Sequence, residues 1–179
     1  MEPIEKAEEV MDKAADAIPP QARSFLGGDW LGHPLHPMRT DLPIGFWTSS
    51  FVLDFLGLRR SRRVSAALLG LGVASAVPTV AAGLVEYQKL DPDDPKRETA
   101  VVHAVVNTAG TFFYLWSFLA RLRGKRFKGI FLALLGGAAV TAGGYLGGQL
   151  AFGKTDDAHE PQLFGTEDLP GSEHIRVAV

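Results

Sequence analysis

The stretch VSAALLGLGVASAVPTVAAGLVEY, from Val64 to Tyr87, holds a single ionisable acid, Glu86 at its end, and no basic residue. Roughly 20 helical residues cross a hydrocarbon core of about 30 Å, so this run alone is long enough to span a membrane. Pro78 lies inside it and predicts a kink, with Ser75 and Thr79 beside it to serve the freed backbone groups. Working outward, three more apolar stretches appear: Leu42–Leu58, Ala100–Leu122 and Gly129–Phe152. The first is the shortest and opens on Pro43, a residue that suits a first helical turn because its missing N–H has no partner there. The expected fold class is therefore all-α, an integral membrane four-helix bundle with spans at about 42–58, 64–87, 100–122 and 129–152.

The hydrophobic fraction of 46% is ordinary only as an average. Residues 30–153 carry the apolar spans, between an acidic N-terminal arm at 1–29 and an acidic, Gly- and Pro-bearing tail at 154–179 that reads as partly disordered. The start of the arm, with Ile4, Val10, Met11, Ala14 and Ala15 among charges, predicts an amphipathic helix ending at Pro19-Pro20 that faces solvent or a partner. It lacks the basic and apolar regions of a cleaved signal. The chain has no cysteine, which excludes thiolate metal sites, iron–sulfur clusters and Cys nucleophiles together. No nucleophile–base–acid set is evident and no phosphate-binding glycine loop precedes a helix, so a soluble-type hydrolase is not expected, and whether the chain has an enzymatic activity of its own stays open.

The connection Arg59-Arg60-Ser61-Arg62-Arg63 and the connection from Arg121 to Lys128 are basic and free of acids, whereas Gln88 to Thr99 is mixed. The positive-inside rule puts the two basic connections in the cytoplasm and both termini outside. Asp54, about a turn before the first basic connection, is expected to pair with Arg59, Arg60, Arg62 or Arg63. The glycines of the last span, among them Gly136, Gly143, Gly144, Gly147 and Gly148, predict close helix contact, and Trp30, Trp47, Tyr87 and Tyr145 read as interfacial aromatics.

Polar residues converge at one end. His33 and His36 lie in Gly32-His33-Pro34-Leu35-His36-Pro37, whose prolines favour extended polyproline geometry with a three-residue repeat, so the two rings are expected to face the same way. Thr99, His103, Asn107 and Thr111 recur every four residues and make one polar stripe, which in lipid should face the bundle interior. Spans one and three begin on the side where spans two and four end, so His36, His103, Glu86 and Gln149 share a face. The candidate cofactor-binding residues are His33, His36, His103, Glu86 and Gln149, and the candidate metal ligands are His33, His36 and His103. Interfacial His and Gln also serve as helix caps, and Glu86 can snorkel to water, so a purely structural role stands beside the ligand role.

Gly-His-Pro-Leu-His-Pro followed by Leu-Pro-Ile-Gly-Phe-Trp, then Val-His-Ala-Val-Val-Asn-Thr and Gly-Gly-Tyr-Leu-Gly-Gly-Gln-Leu, resembles the bacterial membrane family catalogued as domain of unknown function 2231, over about Trp30 to Gly153. The resemblance implies a four-helix protein of the bacterial plasma membrane. Members are sometimes joined to a Rieske-type domain, and the family is suspected of kinship with haem-binding cytochrome b-like bundles. It directs attention to His33, His36 and His103. Where many relatives carry His or Glu, Gln149 stands here, a poor haem ligand. Two functions remain open. One is a redox module holding haem b or a transition metal, exchanging electrons with a quinone or a redox protein. The other is a permeation or assembly-partner protein without cofactor. The lipid bilayer and a second copy of the chain are the other expected partners; nucleic acid is not among them.

Overall fold

The computed structural model describes residues 2–57 and 59–153; the tail at 154–179 lies outside them. The described residues form α-helices and contain no strand. In chain order these are α1 (Glu2–Asp16), α2 (Pro20–Gly27), α3 (Leu35–Phe55), α4 (Arg62–Tyr87), α5 (Lys96–Leu122) and α6 (Arg126–Phe152), with a single 3-10 turn at Arg59–Ser61 before α4. α2 starts on Pro20 and stops at Gly28, whose φ of 81° closes the helix with backbone N–H bonds to Ser24 and Phe25.

The proline-rich segment differs from its expected extended form. α3 begins at Leu35, with Pro34 extended before it, so His36 and Pro37 lie in the first helical turn. A first-turn N–H has no intrahelical acceptor, so Pro37 loses nothing there. Pro43 is consequently inside α3, where it deprives the Arg39 carbonyl of a donor. The Thr79 hydroxyl of α4 reaches it at 3.2 Å, its one proton shared with the Ser75 carbonyl at 2.9 Å. The earlier start also moves Trp47 to mid-helix, where it is buried (5% exposed) and stacks on Tyr114 at 4.1 Å, and not at an interface.

α3 and α4 form one antiparallel hairpin, α5 and α6 a second, and α4 packs on α5. The core between the hairpins is Trp47, Leu69, Ala76 and Tyr114. α4 and α6 are long and apolar enough to cross a membrane, with mean hydropathies of 1.9 and 1.7.

α1 lies across the end of the bundle. Its Ile4, Ala7 and Met11 cover Tyr87, Ala100 and Val101. Arg97 fastens it, bonding Glu8 at 2.8 Å and Asp12 at 3.0 Å while its guanidinium stacks over the Tyr87 ring. The arm's apolar stripe is thus spent on its own bundle.

Candidate functional site

Beneath that end, α3 presents His36 and α5 presents His103, with ring centres 6.2 Å apart and planes at 80°. Each ring is seated the same way. Nδ1 of His36 bonds the Thr79 carbonyl of α4 at 2.9 Å, and Nδ1 of His103 bonds the Gly143 carbonyl of α6 at 2.8 Å. A carbonyl only accepts, so in the neutral rings Nδ1 carries the proton and Nε2 keeps its lone pair. Both rings fit because a glycine faces them. A Cβ at Gly83 would stand 2.9 Å from Cε1 of His36, and one at Gly147 would stand 2.8 Å from Cε1 of His103.

The stripe on α5 continues this packing. Asn107 fills the space over Gly143 and bonds the His103 carbonyl at 2.8 Å, and Thr111 bonds the Asn107 carbonyl at 2.9 Å. Gly136, Gly143 and Gly147 of α6 are therefore the seats of Tyr114, Asn107 and His103 of α5, a role that glycine spacing signalled without naming the partners.

The other candidates do not join the pair. His33 sits in the bend before α3 and is exposed. Glu86 lies one turn beyond Gly83 and pairs with Lys89 at 2.7 Å. Gln149 is exposed and donates to the Tyr145 hydroxyl at 3.0 Å, on the opposite side of α6 from Gly147. Among the described residues no three His or acidic side chains gather as a metal cluster. What the geometry offers is two imidazoles with matched tautomers and facing positions.

A family model matches residues 32–155. The chain belongs to the family described as Predicted membrane protein (DUF2231). The family region contains all of α3 to α6, and so both histidines and both of their glycine seats, while α1 and α2 precede it. Comparison with curated proteins and with solved structures returned no match.

Proposed function

We propose that this member of the DUF2231 family is a four-span membrane bundle that holds a redox-active metal centre, a haem b iron or a single transition-metal ion, between Nε2 of His36 and Nε2 of His103. Support for four spans comes from the outward faces of α3 and α5, which carry Phe51, Val105, Phe112 and Trp116 at half exposure like the apolar surfaces of α4 and α6. Water does not tolerate such a continuous apolar belt, whereas lipid does. The basic connections support a placement with both ends of the domain outside.

One observation carries the ligand reading, the 6.2 Å between two rings that each engage a backbone carbonyl through Nδ1 and so keep the lone pair on Nε2, the Asn107 amide being the neighbour of His103 Nε2 at 3.5 Å. A metal held by both imidazoles through bonds of ~2.0–2.1 Å would require two rings about as close as these stand. The backbone carbonyls on Nδ1 are the outer partners that metal-bound histidines use to fix tautomer and orientation. Bound there, the centre would supply one-electron transfer, and the chain's own part is to hold the two rings and keep water from them.

Absorption spectra and metal analysis of membrane-extracted protein test this. A Soret band, or one equivalent of metal lost in both His36→Ala and His103→Ala, is the expected result. Protein that stays metal-free and spectrally silent after incubation with haemin, copper and iron salts favours the cofactor-free permeation or assembly role.

A further inference from the structure

The hairpins α3–α4 and α5–α6 are one unit used twice. His36, Trp47, Ser50 and Asp54 stand at one constant offset, 67 residues, from His103, Tyr114, Ser117 and Arg121. Leu68, Gly72, Ala74 and Gly83 stand 64 residues before Leu132, Gly136, Ala138 and Gly147. The contacts repeat with the residues. Trp47 lies on Gly72 as Tyr114 lies on Gly136. Ser50 donates to the Ser65 carbonyl at 2.9 Å as Ser117 donates to that of Gly129 at 2.6 Å. Counterparts meet in the middle: His36 faces His103, Trp47 stacks on Tyr114, and Asp54 pairs with Arg121. A pseudo-two-fold axis thus runs along the bundle.

Such an axis makes α4 against α5 equivalent to α6 against α3, yet only the first interface is closed. There Phe118 lies on Gly70, 3.1 Å from where a Cβ would stand, and Leu69 and Val73 fill the core. In the second copy Leu134 replaces Gly70, Ala133 replaces Leu69 and Gly137 replaces Val73. Phe51, the counterpart of Phe118, has no glycine to rest on and stays 52% exposed. Bulk has been added at the rim and removed behind it. The result is an uncharged cleft of about 320 Å³ between α3 and α6, with Trp47 and Tyr114 at its floor. That volume lies in the range of small-ligand sites.

Tyr114 supplies a second signal. It is 8% exposed, and its hydroxyl lies beside Gly137 on the cleft wall. That hydroxyl has no hydrogen-bond partner among the described residues. A hydroxyl that opens onto an apolar cleft in the membrane without an acceptor is costly, and an occupant carrying one removes the cost. The cleft lies at the middle of both helices, far from the glycerol esters of lipid headgroups. Prenylated quinones are molecules that bring a ring carbonyl to that depth on an apolar tail.

We propose that the α3–α6 cleft binds a prenylated quinone, whose ring carbonyl accepts from the Tyr114 hydroxyl and whose tail leaves past Phe51 and Leu134 into the bilayer. The site rests on the four-span placement above and not on the histidine pair. Trp30→Phe/Trp116→Phe protein in lipid nanodiscs keeps Trp47 as its single tryptophan, and its fluorescence is titrated with a short-tailed ubiquinone analogue. Saturable quenching is expected, at least tenfold weaker in Gly137→Val, which restores the residue of the closed copy. Tyr114→Phe, which preserves packing, is expected to weaken it several-fold. Linear quenching, equal affinity in all three proteins, or equal competition by a saturated alcohol of the same tail length overturns the quinone site. Phosphatidylcholine with brominated acyl chains checks placement separately: Trp47 unquenched by it removes the membrane placement and the cleft's ligand together. Quenching by that lipid without saturable quinone binding removes the quinone alone.

Discussion

The Asp54 carboxylate of α3 is held by Arg121 of α5, although most of a hairpin separates them in sequence. Arg121 reaches both carboxylate oxygens, one of them at 2.9 Å, Arg126 adds a contact at 3.2 Å, and the Ser65 hydroxyl donates at 2.9 Å. Both partners are nearly sequestered, with side chains 7% and 4% exposed. The expected partners, Arg59, Arg60, Arg62 or Arg63, lie between the end of α3 and the first turn of α4, but the neighbours that the fold brings to Asp54 come from the other basic connection. Because Asp54 and Arg121 are counterparts in the two hairpins, the pair also tells one copy from the other.

Removing one partner of a buried pair leaves a charge without compensation and costs about 3–5 kcal/mol. Arg121→Ala is therefore expected to lower the melting temperature sharply, and Asp54→Asn to do so to a similar or smaller degree. The exchange Asp54→Arg/Arg121→Asp should recover part of the loss. Thermal unfolding in detergent decides; unchanged melting in both single variants refutes the structural role.

The histidine seats make a contrast within one helix. A side chain at Gly147 meets His103, whereas one at Gly144 meets nothing within 4 Å. Gly147→Val is expected to cost about 1–3 kcal/mol through overpacking and to displace the ring. Gly144→Ala should be neutral or stabilising by up to about 1 kcal/mol, since alanine is the better helix former. If both variants melt alike, His103 does not sit on α6.

Docking of α1 depends on Arg97, which bonds Glu8, Asp12 and the Tyr87 hydroxyl. Arg97→Gln should free the arm, seen as faster proteolysis between α1 and α2 while α3 to α6 stay resistant. Cleavage at the wild-type rate contradicts the clasp.

Orientation is open to labelling. Cysteines placed at Asp93 and at Arg123, both exposed in connections at opposite ends of the bundle, should differ in whole cells: the first reacts with an impermeant maleimide and the second only after permeabilisation. The reverse pattern inverts the topology and leaves the shared end of His36 and His103 intact.

What the sequence alone determined is what is local. An apolar helix satisfies its own backbone within the run that forms it, so the helical stretches could be marked from composition, and their alternation put His36 and His103 at one end. The duplication was also legible, as His36/His103 and Ser50/Ser117 at one offset, but so few identities show against an apolar background that the contacts make it plain. Tertiary structure decided everything that depends on a neighbour. Pro37, expected in an extended segment, lies in the first turn of α3, and Pro43, expected to open the helix, lies inside it where the Thr79 hydroxyl reaches the carbonyl it leaves free. Trp47 became a core residue once α3 began at Leu35. Gln149 points away because Gly147, two residues earlier, is the position α5 occupies. A glycine is only an absence in sequence, and whether His103 fills it, as at Gly147, or it opens a cleft, as at Gly137, is set by the side chain that the opposing helix brings to it.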